Sequence, residues 1–365
     1  MYALAGWPVL LGLLVRWRGR PVRREFQPRG VTTVIAVHNG AGYLAAKLDS
    51  VFALNYPPEL LDVIVVSDGS TDDTEAIASS YPNVRLLRVP KGGKCRALNA
   101  AFREATGEIL FLTDVRQVLH ADCLRNLVAC FADPQVGVAS GELRIRQGAT
   151  SGSQDVGLYW RLETWIRDQL GILDSMFGAT GSVYAIRRDL AVPVPEDILL
   201  DDMYLPLSAF FRGYRLVMAA DATAWDVPTS RQTEFTRKVR TLAGNYQLLK
   251  YYPKLLVPFA NRMWFHFISY KVARLALPWL LAITFVSSCF LPAPWNLLVV
   301  GAQLVSWLLA ALDGMLGEGS LFKKLSSPAR TFYTMMVAAV MALRIFFVDP
   351  RSLWVVTGAK KETSL

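Results

Sequence analysis

The segment VIVVSDGSTDDT, residues 63–74, runs from an apolar strand into an acidic turn and the first residue of a helix. Four β-branched residues in succession favour a buried strand, and the Asp, Gly and Ser residues behind them favour a turn. Thr71 or Asp72 can cap the helix that follows. Asp68 stands at the end of the strand, where its carboxylate can bind a ligand; an ordinary Asp-Gly turn is the alternative.

Similar strand and helix segments lie on both sides of this stretch. Strand composition is found in VTTVIAV (31–37), VRLLRV (84–89) and EILFLTD (108–114), and helices are predicted at 45–54, 74–80 and 97–105. This alternation predicts an α/β fold with a Rossmann-like, mostly parallel sheet, whose ligands bind beyond the carboxyl ends of the strands. Three polar pairs follow such ends: His38-Asn39, Ser67-Asp68 and Thr113-Asp114.

The last hundred residues are strongly apolar. The chain has 365 residues, of which 53% are hydrophobic and 19% charged. Three stretches are long enough to cross a bilayer as helices: Val272–Leu291, Trp295–Leu312 and Thr331–Val348. We predict transmembrane helices there; helices buried in a soluble core are the alternative.

A shorter apolar segment covers residues 1–15, and five arginines follow between Arg16 and Arg24. This is the positive-inside pattern, so we predict an uncleaved anchor with its N-terminus outside; a signal peptide or an interfacial helix is the alternative. The formal net charge is +9, but no basic–aromatic interleaving indicates a nucleic-acid partner. Four cysteines without a C-x-x-C pair favour reduced thiols and a cytoplasmic catalytic domain.

These patterns divide the chain into four predicted regions. Residues 1–24 form the anchor with its basic flank, and residues 25–232 form the α/β domain. Residues 233–262 form a basic amphipathic region on the membrane surface, and residues 263–365 form the transmembrane helices and tail. A mobile loop is predicted at residues 148–153.

The stretch PKGGKCRALN, residues 90–99, combines glycines with lysines. Gly92 and Gly93 let the backbone approach a ligand closely, and Lys91 and Lys94 can neutralise a phosphate as point charges. The spacing differs from that of a P-loop. A flexible basic loop without a ligand is the alternative.

Five motifs occur in order: VIAVHNG (34–40), VVSDGSTDDT (65–74), GGKCRALNAA (92–101), GEILFLTD (107–114) and LLDDMYL (199–205). Over roughly residues 30–250 the chain resembles the family 2 glycosyltransferases with a GT-A fold, particularly the membrane-bound synthases. The resemblance implies a GT-A domain plus transmembrane helices, and a nucleotide-sugar donor. It also implies donor-binding roles for His38 and Asn39 in the first nucleotide loop, Asp68 at the base or ribose, and Lys94 near the diphosphate.

The metal-binding motif departs from the family pattern. Asp114 matches the first acid of the family's Asp-x-Asp motif, which implies a divalent Mg or Mn ion on the diphosphate. Arg116 replaces the second acid; it cannot ligate a metal but can neutralise phosphate. Either Asp114 holds the ion with help from elsewhere, or Arg116 partly replaces the ion.

Asp202 matches the catalytic aspartate of the family's Glu-Asp-x-x-Leu segment. A carboxylate must take the proton of the acceptor hydroxyl, and the neighbouring Asp201 would raise the pKa of that base. Acids at a helix N-terminus are the alternative. The turn at residues 178–182 resembles family turns that line the acceptor site; a plain turn is the alternative.

Arg240 takes the arginine position of the family's Gln-x-x-Arg-Trp helix and could stabilise the departing diphosphate. A basic face against lipid headgroups is the alternative. Thr241 stands where the tryptophan of processive relatives stacks under the acceptor sugar. This departure argues against a polymerising enzyme.

We therefore expect an inverting glycosyltransferase, integral to a plasma or inner membrane. It would use a nucleoside-diphosphate sugar, with UDP as the expected nucleotide, and a glycan or lipid-linked acceptor near the membrane. A processive polysaccharide synthase that also translocates its polymer is one alternative. The other is a non-catalytic membrane scaffold with the same fold, which Arg116 supports and Asp202 opposes.

Overall fold

The computed structural model describes residues 2, 6–145, 153–227, 231–317 and 320–354, without the side chains of 153–160, 231, 232 and 321. Most of the loop predicted at 148–153 and the tail after residue 354 lie outside the described residues. The chain forms two compact units. The sheet unit comprises Pro8–Gly148 and Thr164–Pro228, and the helical unit comprises Met1–Trp7, Ala149–Glu163 and Thr229–Val355. The boundaries predicted at residues 24, 232 and 262 remain predictions.

The sheet unit contains an eight-stranded sheet with the order β3-β2-β1-β4-β7-β6-β8-β5. Its strands are β1 (Val31–Val37), β2 (Leu61–Asp68), β3 (Val84–Val89), β4 (Ile109–Leu112), β5 (Val118–Leu119), β6 (Val136–Ile145), β7 (Tyr184–Arg187) and β8 (Arg215–Asp226). β1 is parallel to β2 and β4, β2 to β3, and β6 to β8. β7 is antiparallel to β4 and β6, and β5 is antiparallel to β8. The predicted mostly parallel α/β sheet is confirmed.

The parallel half of the sheet brings strand ends to one edge. The register aligns Val37 of β1 with Ser67 of β2, and Asp68 of β2 with Val89 of β3. β4 runs parallel to β1 and ends at Leu112. The loops that leave β1, β2 and β4 therefore begin at the same edge, as the strand pattern predicts.

Helices pack against these strands. α4 contacts β1 and β2, α5 contacts β8, and α7 contacts β6 and β8. The apolar stripe of α2 enters the same core as β1 and β2, since Leu44, Leu48 and Val51 are fully buried there. The helices are α1 (Trp7–Arg18), α2 (Ala41–Phe52), α3 (Thr74–Ser79), α4 (Lys94–Glu104), α5 (Cys123–Ala129), α6 (Ser153–Leu173) and α7 (Asp201–Phe211).

The helical unit contains the predicted membrane spans. Its helices are α8 (Arg231–Tyr251), α9 (Trp264–Phe267), α10 (Ala273–Cys289), α11 (Trp295–Leu312) and α12 (Leu321–Met341). Three continuous helical segments, Trp264–Cys289, Trp295–Met315 and Phe322–Phe346, are long and apolar enough to cross a membrane. Few of their side chains are buried inside the protein, which suits helices surrounded by lipid.

The N-terminal helix is shorter than a membrane span. α1 has 12 residues, which correspond to about 18 Å, whereas a hydrocarbon core measures about 30 Å. Val9, Leu13 and Trp17 are exposed on it, whereas Leu11 is buried. The anchor predicted at residues 1–24 remains a prediction.

Candidate active site

Two loops at the carboxyl ends of β1 and β2 are joined by side-chain hydrogen bonds. The Asn39 Oδ1 atom accepts the Thr71 N–H at 2.8 Å. The Asp72 carboxylate accepts the N–H of Ala41 at 3.0 Å and that of Thr74 at 3.1 Å, the first residues of α2 and α3. Burial by itself raises the pKa of Asp72, but these hydrogen bonds outweigh burial and lower it. Asp72 therefore binds the first N–H group of both helices as a carboxylate, whereas the residue at the N-cap position of α3 is Asp73.

Asp68 ends β2 with 6% of its surface exposed. Its Oδ1 atom accepts the Gly92 N–H at 2.7 Å, and its Oδ2 atom accepts the Gly93 N–H at 2.9 Å. The His38 Nδ1–H donates to the Asp68 carbonyl oxygen at 2.8 Å. Two of the predicted donor-binding residues are thus adjacent, and Asp68 fixes the loop that leads directly into Lys94.

Gly69 and Gly93 allow the turn after β2 and the loop before Lys94 to lie close together. Both have positive φ angles, 61° and 91°, which side-chain-bearing residues rarely adopt. A Cβ atom on Gly69 would also lie 2.8 Å from the Lys91 backbone nitrogen. Gly93, one of the two glycines that the sequence associated with a ligand, therefore has a structural reason in the loop itself.

Lys94 lies at the centre of a charged cluster. It is the first residue of α4, and its Nζ atom lies 3.0 Å from Asp114 Oδ1 and 3.1 Å from Asp201 Oδ2. Burial by itself lowers the pKa of Lys94, but the carboxylates of Asp114, Asp201 and Asp202 together outweigh burial and raise it. The lysine is therefore a cation at physiological pH, and it joins the loop after β4 to the start of α7.

Asp202 is the second residue of α7 and packs against the turn at residues 178–182. The Ala179 N–H donates to the Asp202 carbonyl oxygen at 2.7 Å. A Cβ atom on Gly181 would lie 2.8 Å from Asp202 Oδ2, so glycine at 181 leaves room for the carboxylate. The neighbouring Asp201 is 5% exposed at its side chain and paired with Lys94. The charge of Asp201 is therefore compensated by Lys94, and Asp201 is not an unpaired carboxylate beside Asp202, the predicted base.

Tyr184, the first residue of β7, is a member of this cluster that sequence analysis missed. Its side chain is fully buried, and its hydroxyl has no hydrogen-bond partner among the residues that the structure describes. Burial, and then the carboxylates of Asp201, Asp202 and Asp114, raise the pKa of Tyr184 well above its usual value. The tyrosine thus stays protonated near three carboxylates. Its place just after a glycine turn was the only signal in the sequence.

Arg116 has a carboxylate partner that the sequence did not reveal. Its guanidinium forms an ion pair with Asp226, the last residue of β8. Asp226 Oδ2 also accepts the Gln117 Nε2–H at 2.9 Å. The side chains of Arg116 and Asp226 are 12% and 5% exposed. The charge of Arg116 is therefore compensated within the protein, and its predicted role at the diphosphate remains a prediction.

The predicted metal position offers few protein ligands. In the described part of the chain, no group of three His, Cys, Asp or Glu side chains could hold a metal ion. One oxygen of Asp114 is also paired with Lys94. Mg²⁺ sites commonly take one or two carboxylates and complete their coordination with substrate phosphates and water. The residues fit an ion held by Asp114 together with a bound diphosphate, and they do not fit an ion held by the protein alone.

Arg240 belongs to the helical unit, where it lies on α8. Its guanidinium lies over the Trp354 ring at 4.8 Å from the centroid, a cation–π contact. Its Nε atom is buried without a hydrogen-bond partner among the described residues. The assignment of Arg240 to the leaving group remains a prediction, whereas the other predicted site residues all belong to the sheet unit.

A family model described as Glycosyl transferase family 2 matches residues 32–191. The match begins in β1 and includes His38, Asp68, Lys94 and Asp114, whereas Asp202 lies beyond its end. Among solved structures, a mannosyltransferase, PcManGT from Pyrobaculum calidifontis in complex with GDP-Man and Mn²⁺, has a TM-score of 0.68 at 23% identity. The alignment covers 95% of this chain and 96% of that chain, which confirms the predicted GT-A fold.

Curated relatives match over shorter stretches. The probable glycosyltransferase YdaM of Bacillus subtilis is 23% identical over 243 residues, covering 60% of this chain and 56% of the relative. The beta-monoglucosyldiacylglycerol synthase of a Synechocystis species is 24% identical over 197 residues, covering 51% and 41%. The chain thus spans about half the length of these relatives.

Proposed function

Because residues 32–191 form a family 2 glycosyltransferase domain, we propose that the chain is an inverting glycosyltransferase that uses a nucleoside-diphosphate sugar. The observation that carries the proposal is the cluster in which Lys94 bridges Asp114 and Asp201 beside Asp202. Asp68 is tied to the same cluster through the loop that precedes Lys94. Acidic groups after β4 and at the start of α7 thus meet around Lys94, and Asp68 holds the backbone that precedes this lysine.

The proposed reaction assigns one role to each charge. Asp202 takes the proton of the acceptor hydroxyl as that oxygen forms a bond to the anomeric carbon of the donor sugar. The bond from that carbon to the diphosphate breaks, and the diphosphate leaves with the electron pair. Attack from the opposite face inverts the anomeric centre. Lys94 is a fixed cation that offsets the charge of the leaving group.

A divalent ion would supply further neutralisation of the departing diphosphate. Asp114 is the residue that would hold it, with the remaining coordination from the diphosphate and water. Arg116 becomes available to the diphosphate only if it shares or leaves its ion pair with Asp226. Transfer in the presence and absence of a chelator separates these two sources of positive charge.

The nucleotide is the least constrained part of the proposal. The sequence favoured UDP, whereas the solved neighbour that covers almost the whole chain was determined with GDP-Man. A GDP-sugar is therefore the second candidate. The purified protein should be incubated with a panel of UDP- and GDP-sugars, and turnover of one sugar class identifies the donor. No turnover and no nucleotide binding with any donor would refute the proposed activity.

We place the acceptor among lipid-linked molecules or glycans at the membrane. The three spans in the helical unit support a membrane location. The name of the Synechocystis relative also specifies a diacylglycerol-linked product. Acceptors extracted from membranes and presented in nanodiscs provide the test, with water-soluble sugars as the comparison. Product length distinguishes single transfers from the polymer that a processive synthase would release.

Substitution of the base tests the assignment of Asp202. Asp202→Asn should abolish transfer and leave nucleotide binding intact, because the amide keeps the shape but cannot accept the proton. Asp189→Asn is the matched control, since Asp189 is exposed and follows β7 at the opposite edge of the sheet. Retained transfer by the Asp202 variant would remove Asp202 from the base role. Nucleotide binding without transfer by the wild type would favour the scaffold.

A further inference from the structure

Lys47 is a charged residue in the apolar core of the sheet unit. It lies on α2 between Leu44 and Val51, on the face that is buried against the sheet, and 0% of its surface is exposed. Lysines are almost never fully buried unless they are paired. In the sequence it interrupts an otherwise apolar helical stripe, and the proposed reaction gives it no role.

The Lys47 amine holds both ends of one short segment. Its Nζ atom donates to the Thr113 hydroxyl at 2.5 Å and to the Gln117 carbonyl oxygen at 2.8 Å. Residues 113–117 are the segment that carries Asp114 and Arg116, the two positions of the Asp-x-Asp motif. The Lys47 side chain thus fixes the positions of both ends of residues 113–117.

The same contacts continue to the acceptor side. The Thr113 hydroxyl accepts from Lys47 and donates to the Ser182 carbonyl oxygen at 2.7 Å. Ser182 closes the turn at residues 178–182, which packs against Asp202. Lys47 is therefore connected through one hydroxyl to both of the loops that surround the charged cluster.

An apolar side chain at position 47 would be buried at a lower free-energy cost than lysine. Burial of an amine is unfavourable, and it lowers the pKa of Lys47 to about 7, although Cys123 and Asp114 oppose this. A neutral amine has two N–H donors and an ammonium has three, and the structure provides two acceptors. Lys47 can therefore donate both hydrogen bonds in either protonation state. We call these two hydrogen bonds the tie, and it does not depend on the charge of Lys47.

We propose that Lys47 is a positioning residue that fixes residues 113–117, so that Asp114 stays beside Lys94 and Arg116 stays beside Asp226. This inference rests on the proposed function, because its effect is expected at the donor diphosphate. Loss of the tie should weaken donor binding, because Asp114 is the residue that would hold the ion on the diphosphate. Affinity for the acceptor should change little.

The test compares two substitutions in the same helix. Lys47→Met keeps the volume and the apolar stem but removes both hydrogen bonds. We expect about 10-fold weaker binding of the nucleoside diphosphate and a similar rise in donor KM, in line with a loop displacement below 1 Å. Leu48→Ala is the matched control, because Leu48 is fully buried beside Lys47. It should lower thermal stability without changing donor KM.

Thr113→Val provides a second variant that removes only the shared hydroxyl. It should weaken nucleotide binding in the same direction, and the double variant should lose less than the product of the two single losses. Equal nucleotide binding by Lys47→Met and the wild type would overturn the proposal, as would a donor KM that rises equally in Leu48→Ala. Failure of the wild type to bind any nucleoside diphosphate would instead refute the proposed function. If Lys47→Met does not fold, the Thr113→Val result decides.

Discussion

Replacing Gly181 by alanine tests whether the Asp202 carboxylate must occupy its present place. The new Cβ atom would lie 2.8 Å from Asp202 Oδ2 and 3.3 Å from its Cβ and Cγ atoms. Since ordinary contact begins at 3.4 Å, the carboxylate must retreat by about 0.6 Å. A 1 Å misplacement of a reacting group costs up to about 100-fold. We therefore expect kcat to fall about 10-fold, or about 1.4 kcal/mol in the barrier.

Steady-state transfer with the donor identified by the nucleotide panel measures this effect. Gly178→Ala is the matched control in the same turn, because its Cβ would meet the Met203 Cγ atom at 2.5 Å instead of the carboxylate. Gly178→Ala should keep kcat near the wild-type value, and both variants should keep donor KM. A folded Gly181→Ala protein with wild-type kcat would refute the reasoning. An equal loss in both variants would show that the turn, and not Asp202, is the sensitive element.

Three further outcomes follow from the charged and buried groups. Lys94→Met leaves Asp201 as an unpaired buried carboxylate and should lower the free energy of unfolding by about 3–5 kcal/mol; a loss below about 1 kcal/mol in denaturant unfolding would contradict the pairing. Tyr184→Phe removes a buried hydroxyl without a partner and should raise the free energy of unfolding by about 1 kcal/mol; a lower midpoint than the wild type would contradict this. Burial lowers the pKa of Lys47 from 10.5 to about 7, so between these values the unfolded chain binds more protons and stability should rise with pH. Thermal midpoints from pH 7 to pH 10 should show a flatter rise in Lys47→Met, and equal slopes would contradict the pKa shift.

The first half of the sheet was predictable because its residues repeat a simple pattern. β1 and β2 are runs of β-branched residues bounded by turn residues, and β1 leads into α2, which carries an apolar stripe. β6 and β8 carry no such pattern. β6 is buried along its first six residues without alternation and contains Gly and Ala, and its pairing with β8 is interrupted by register shifts. Neither composition nor period 2 marks it as a strand.

The site was predictable to the extent that it lies at strand ends. Asp68 ends β2 and Asp114 follows β4, so parallel pairing alone brings them to one edge. The partners of charged groups were not predictable, because they come from distant parts of the chain. Asp226 pairs with Arg116 because β8 lies beside β5, which Arg116 precedes, and Asp201 reaches Lys94 only because α7 begins at that edge. Lys47 was visible as a charge on an apolar stripe, but its acceptors were not.

The Asp72 carboxylate ties the opening N–H groups of α2 and α3 to the same pair of oxygens. Residues 38–41 and 68–74 are thereby coupled through hydrogen bonds, so a displacement of one helix start also displaces the other. Chimeras designed to change nucleotide preference would have to exchange both stretches together from one relative. Exchange of either stretch alone would combine loops from two proteins whose backbone N–H groups need not both fit the Asp72 carboxylate.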